Sequence, residues 1–309
     1  MTNSTQETVS NSPDLVAIAS SAVRQGLIAT HELHERLGEV GLTEVQKNEY
    51  GDTAMKLDIE SEATIIKLLE SLNLHTQVHS EEHGDFEIGD RATQIGLTAA
   101  IDGLDGSGVY KKERGKGRYG TMFALFSGQS PNYGDYLAAG VMEHAIGKLY
   151  LAVKDKGLDV VDVQSNVTTE AKVNNHVALS HDSTIYVDSA EVGPDNLQYA
   201  EYYGKNKVTF ADPLNKAGYI YARLGSSAIH FVDLATGRAD LVGESTRKGN
   251  LEFATAYALV HESGGVMVSI DGKDIGNQPF NEFGQHEHIP IMAAPNMTIV
   301  QHVIDLIKG

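Results

Sequence analysis

The chain has 309 residues, 41% of them hydrophobic and 21% charged, with a formal net charge of −18. That balance describes a globular protein of one large or two medium domains, and it argues against a broad basic face for nucleic acid. Cysteine is absent, which excludes disulfides, zinc–thiolate sites and cysteine nucleophiles.

In chain order, Met1 to about Ser12 reads as a disordered lead-in, and nothing in it resembles a secretory signal. Leu15, Ala19, Val23, Leu27 and Ile28 recur at helical spacing, predicting a helix over 14–37. A second helix is predicted over 58–72, then strands over 74–79, 97–101, 119–126, 136–142 and 148–153. The chain turns polar over 160–172, and the division is set there: an α+β unit over 13–165 carrying the acidic motifs, and an α/β unit over 166–309 completing the site. In that second unit 177–179, 184–187 and 207–210 read as strands, 226–234 and 253–263 as helices, 266–270 and 289–293 as strands, and 297–307 as a terminal helix. Helices and strands intermix throughout, which predicts layered α and β rather than a bundle or barrel. No apolar run approaches the roughly 18 residues of a membrane span. A cytoplasmic protein without membrane or nucleic-acid partners is expected.

The most informative stretch is Ile101-Asp102-Gly103-Leu104-Asp105-Gly106-Ser107. Hydrophobic residues lead into two carboxylates, and glycines allow the chain to turn. Ser80-Glu81-Glu82 lies upstream, and Leu251-Glu252-Phe253 opens a helix downstream. Each acid alone suits an ordinary turn or helix start. Together, each at a strand end or helix start, they form the oxygen-donor set of a hard cation such as Mg²⁺. An acidic protein that binds a phosphate also needs local cations, and Lys111, Lys112, Arg114, Lys116 and Arg118 follow the motif directly. That cluster reads equally well as a solvated loop over 109–120. Gly115 to Gly120 leads into a strand rather than a helix, so it is not a nucleotide cradle. The histidines show no metalloprotease spacing.

These motifs, in this order, resemble the Mg²⁺-dependent, lithium-sensitive phosphatase superfamily of inositol monophosphatases, fructose-1,6-bisphosphatases and bisphosphate nucleotidases. Arg223-Leu224-Gly225-Ser226-Ser227-Ala228, Gly237-Arg238-Ala239-Asp240 and Glu262-Ser263-Gly264-Gly265 extend the likeness over residues 14 to 309. The resemblance implies a layered α+β or α/β fold, a five-layer αβαβα sandwich of the sugar-phosphatase type. It implies two or three Mg²⁺ ions held by Glu81, Asp102, the Leu104 carbonyl, Asp105 and Glu252. Asp58 and Ser107 would orient the attacking water, with Glu82 a second acid. Gly106 and Ser107 would offer N–H groups to the phosphate, while Gly225, Ser226, Ser227 and Glu244 would contact the sugar or inositol. Arg114 and Arg118 are the candidates for a further anionic group. The implied protein is a homodimer or homotetramer that hydrolyses a small sugar or inositol phosphate of the inositol-1-phosphate type. Fructose-1,6-bisphosphatase, 3′(2′),5′-bisphosphate nucleotidase and a non-enzymatic scaffold of the same fold are the alternatives. Gly103 replaces the family's usual proline, which is expected to loosen the turn. Ser107 and Glu252 are the bisphosphatase-like choices.

Overall fold

The computed structural model describes residues 14–47, 53–92, 96–191, 199–247 and 249–309. The expected lead-in lies outside them. Helix α1 (Leu15–Leu37) starts at Asp14, whose side chain accepts the Ala17 N–H at 3.1 Å, satisfying an otherwise orphaned donor. Strands β1 (Glu44–Lys47) and β2 (Thr53–Met55) form a small antiparallel pair, and α2 (Lys56–Leu72) follows at once.

The next strands are β3 (His75–Ser80), β4 (Gly84–Ile88), β5 (Gly96–Asp105), β6 (Gly120–Ser127), β7 (Tyr136–Glu143), β8 (Lys148–Val153), β9 (Gly157–Asp162) and β10 (Val167–Ala171). They build one sheet in the order β10-β9-β8-β7-β6-β5-β3-β4, antiparallel except for the parallel β3/β5 pair. The division expected at 165/166 falls in the β9–β10 turn, and the large sheet continues through Ala171. Its central strands are buried on both faces. Ala99, Ile101, Phe123, Leu125, Leu149 and Leu151 face the core under α1 and α2, while Ala100, Met122, Ala124, Tyr150 and Ala152 face the opposite core.

The second sheet has the order β11 (Ile185–Val187), β12 (Leu241–Ser245), β14 (Pro290–Ala294), β13 (Val266–Ser269). Helices α6 (Ser227–Ala235) and α7 (Leu251–Glu262) pack between the two sheets. The outer face of the small sheet is covered by α8 (Met297–Lys308), which packs on β14 and on α5 (Asp212–Lys216). The layers are therefore α1/α2, large sheet, α6/α7, small sheet and α5/α8: the expected five-layer sandwich.

Two expected strands are not strands. Residues 207–210 read as β-like from Val208, Thr209 and Phe210, yet Lys207–Ala211 is a π-helical turn joining α4 (Ala200–Asn206) to α5. Tertiary packing overrides local propensity there: the Phe210 ring lies against Gly243 of β12, where an added Cβ would stand 2.8 Å from Cγ. Residues 177–179 run without a ladder partner. The expected basic loop begins as helix α3 (Ser107–Glu113).

Gly103 stands where β5 and α2 approach closely. A Cβ on it would lie 2.3 Å from the Asp58 carbonyl oxygen and 2.9 Å from Glu62 Cγ, so β5 and α2 meet here only because the side chain is missing. Gly103→Ala is expected to cost about 2 kcal/mol by overpacking. An unchanged urea midpoint would contradict that packing argument.

Candidate active site

The acids converge because of strand register. Ser80 of β3 pairs in parallel with Ile101 of β5, so Glu81 and Asp102 leave neighbouring strands side by side at their carboxyl ends. Asp102 and Asp105 are three residues apart, and a regular strand would point them to opposite faces. The ladder to β6 is irregular at this point. Asp102 lies opposite Met122 and Asp105 opposite Gly120, so one extra residue sits on β5. This bulge returns both carboxylates to the same side. The Leu104 N–H donates to Asp102 Oδ1 at 2.9 Å and fixes the bulge from within.

Each remaining acid stands in the first turn of a helix: Asp58 of α2 and Glu252 of α7. Oxygens of Asp102, Asp105 and Glu252 lie within 4.8 Å of one another. Asp58, Asp102 and Asp105 are buried and Glu81 nearly so. Burial first, and then mutual repulsion, pushes Asp58, Glu81 and Asp102 well above the usual carboxylate range. Burial and the Glu252 charge raise Asp105 to about 6, against the lowering effect of its hydrogen bonds.

The frame around these acids is polar and specific. Glu62, fully buried on α2, accepts hydrogen bonds from the Ser80 hydroxyl, the Glu81 and Glu82 N–H groups at 3.0 Å each, and His83 Nδ1 at 2.9 Å. It fixes the turn that carries Glu81. Asp105 Oδ2 accepts from the Ser226 hydroxyl and from the Ala228 N–H at 2.8 Å, so the start of α6 is fastened to the end of β5. Arg247 forms an ion pair with Glu252 and stacks on the Tyr202 ring at 5.2 Å.

The acids open onto a cavity of about 470 Å³. Its walls include Asp58, Glu81, Glu82, Asp102, Leu104, Asp105, Gly106, Ser107, Gly225, Ser226, Ser227 and Glu252, which the sequence motifs single out. Glu244 is not in the wall. It lies behind Ser227, accepting that hydroxyl at 2.8 Å and facing His230 Nδ1 at 2.8 Å. Arg114 and Arg118 are not brought to the cavity either. Arg114 pairs with Glu39 at 2.6 Å. Arg118 forks onto Glu143 at 2.7 Å and Asp233 at 2.8 Å, tying β7 to α6. Of the basic segment, Lys112 reaches the wall.

Sequence reasoning missed Arg247, Asp188, Glu62 and the lining role of Arg223. Arg223 pairs with Asp188, donates to the Tyr203 hydroxyl at 2.8 Å and lies 5.0 Å over that ring. Arg223 is the first residue of the Arg223-Leu224-Gly225-Ser226-Ser227-Ala228 motif, and that is the one signal the sequence carries for it. Asp188 and Glu62 had none.

The raised carboxyl groups set the sign of a pH dependence. Their folded forms bind protons more tightly than the unfolded chain, so the stability they favour is present at low pH and lost as pH rises through the folded pKa. For Asp105 the window runs from 3.8 to about 6. With divalent cations chelated, the urea midpoint is expected to be lower at pH 7 than at pH 5. A rise across this interval would contradict the site's electrostatics.

The model of the inositol monophosphatase family matches residues 10–298. A fructose-1,6-bisphosphatase/inositol-1-monophosphatase of Methanothermobacter thermautotrophicus is 25% identical over 230 residues, which cover 73% of this chain and 74% of that protein. The extragenic suppressor protein suhB of Bartonella henselae superposes with a TM-score of 0.68 at 18% identity, covering 94% of this chain and 99% of that one. An inositol monophosphatase from Zymomonas mobilis gives 0.67 at 14% identity, covering 95% and 98%.

Proposed function

The chain belongs to the inositol monophosphatase family and is a phosphatase, a phosphoric monoester hydrolase; from that premise we propose that it hydrolyses a small sugar or inositol phosphate with the help of Mg²⁺. The observation that carries this reading is the convergence of Asp102, Asp105 and Glu252 at the floor of the cavity. The donor set fits a hard divalent cation. It is all oxygen, its members repel one another, and Asp58 Oδ1 is buried beside it without a hydrogen-bond partner among the described residues.

Glu81, Asp102, Asp105 and Glu252, with the Leu104 carbonyl, would hold the ions, which when bound supply charge neutralisation and a water of lowered pKa. The other work is done by the chain. The Ser226 hydroxyl and Ala228 N–H fix the direction of Asp105. Asp58 stands where a proton from an attacking water could be held, on an acid that burial makes a strong proton acceptor. Gly106 and Ser107 line the wall beside it and offer N–H groups to a phosphate. Gly225, Ser226 and Ser227 also line the cavity, where small polar side chains suit the hydroxyl groups of a sugar or cyclitol. Positioning and electrostatics therefore carry the rate.

A monoester is favoured over a bisphosphate because Arg114 and Arg118 are committed to carboxylates outside the cavity. Bisphosphate hydrolysis is the second reading, supported by the bifunctional Methanothermobacter relative and by Lys112 and Arg223 in the wall.

The test is phosphate release from inositol 1-phosphate, fructose 1,6-bisphosphate and a 3′,5′-bisphosphonucleoside, with and without Mg²⁺. Mg²⁺-dependent release, fastest on the inositol or a sugar monophosphate, is expected. Asp105→Asn should lower kcat by at least about a hundredfold with the fold retained, since one lost electrostatic contact to a reacting group is worth that much. Turnover at the parent rate, or no demand for Mg²⁺, would contradict the proposal.

A further inference from the structure

A second cluster of ligating side chains lies outside the carboxylate site. His31 and His34 stand one helical turn apart on α1, and His144 follows directly after β7. One nitrogen from each lies within 4.8 Å of one from each of the others. The rings stack, with His34 and His144 centroids 4.9 Å apart and His31 and His144 centroids 5.8 Å apart. Nδ1 of all three is buried and has no hydrogen-bond partner among the described residues. His144 is only 3% exposed, so an orphaned ring nitrogen there is costly.

The surrounding hydrogen bonds fix which nitrogen carries the lone pair. The Thr121 hydroxyl donates its one proton to the Gly103 carbonyl at 2.8 Å. Its contact with His144 Nε2, also 2.8 Å, therefore requires Nε2 to carry the hydrogen. The same accounting holds for His34. The Tyr119 hydroxyl donates to the Gly115 carbonyl at 2.9 Å, so its 2.5 Å contact with His34 Nε2 is a bond donated by that ring. Both rings thus present an unprotonated Nδ1, with Nε2–H held by an outer partner, which is how metal-bound histidines are usually oriented. Burial and the neighbouring rings lower His34 and His144 below the ordinary histidine range and keep them in this neutral form at pH 7.

We propose that His31, His34 and His144 form a binding site, through Nδ1, for a borderline-soft divalent transition ion of the zinc class. Three imidazole nitrogens suit Zn²⁺, Co²⁺ or Cu²⁺ and not Mg²⁺, and the Glu35 carboxylate meets His31 through Nε2 at 3.8 Å, which leaves Nδ1 to the ion. Tetrahedral Zn–N bonds of about 2.1 Å place ligand nitrogens about 3.4 Å apart. The three ligand nitrogens already lie within 4.8 Å of one another, so only small ring adjustments separate them from that spacing. His31 and His34 are partly exposed and His144 is buried, so the α1 side of the cluster is the one open to an entering ion. A fourth position is left to water. Thr121 joins His144 to the Gly103 carbonyl, so this site sits directly behind the bulge that aims Asp102 and Asp105.

The inference is independent of the phosphatase reading, and its test does not use activity. Zn²⁺ is titrated calorimetrically into the full chain with Mg²⁺ in large excess, and Co²⁺ is followed by its visible absorption. One equivalent of Zn²⁺ and the intense visible bands of tetrahedral Co²⁺ are expected. His31→Gln and His34→Gln, checked separately for unchanged melting without metal, should each weaken Zn²⁺ binding by about tenfold or more and abolish the Co²⁺ bands. Absence of Zn²⁺ binding in the parent, or equal binding by parent and both variants, would overturn the proposal.

Discussion

Mutual repulsion among buried carboxylates is the constraint on which this structure depends. Asp58, Glu81, Asp102 and Asp105 are held where water screens them poorly, and each makes its neighbours harder to ionise. Arg247 offsets part of that charge through Glu252. A folded chain keeps such a group of like charges together only if the backbone gives them no alternative and protonation or a bound cation offsets the cost. The rest of the architecture supplies the first condition.

Three devices impose it. Parallel pairing of β3 with β5 sets Glu81 beside Asp102, and the bulge opposite β6 turns Asp105 to the same side. Glu62 gathers the donors of the Ser80–His83 turn onto one buried carboxylate. The Ser226 and Ala228 bonds to Asp105 bring the small-residue wall of α6 against the acids. The Arg118 fork to Glu143 and Asp233 does similar work one layer away, joining the large sheet to α6. A cluster placed directly after the acidic motif therefore acts as structural cross-linking at Arg118 and Arg114, and only Lys112 faces the cavity.

Much of the candidate site was legible because its acids sit in short contiguous motifs at element ends, where a strand's final residues or a helix's first turn fix a side chain's direction. The layered fold was legible from alternating helical and strand periodicity. What escaped depends on contacts distant in sequence. Glu62 is one acid on an ordinary amphipathic helix until the Ser80 turn folds onto it. Arg118 looks free to bind an anion until Asp233, 115 residues later, closes on it. Segment 207–211 has β-branched residues and still coils, because Phe210 has a place against Gly243. The pair His31/His34 has the spacing of one helical turn, but nothing along the chain ties it to His144, and the free Nδ1 of His34 and His144 follows only from hydrogen bonds made by Tyr119 and Thr121.

If crowded carboxylates await a cation, that cation must stabilise the fold, because the unfolded chain cannot assemble the same ligands. The direct measurement is the melting temperature of the parent chain at pH 7 as Mg²⁺ is raised from a chelated start, at constant ionic strength. The account predicts a steady rise following the logarithm of Mg²⁺ concentration, as ligand binding to the native state alone requires. A melting temperature indifferent to Mg²⁺ would contradict it.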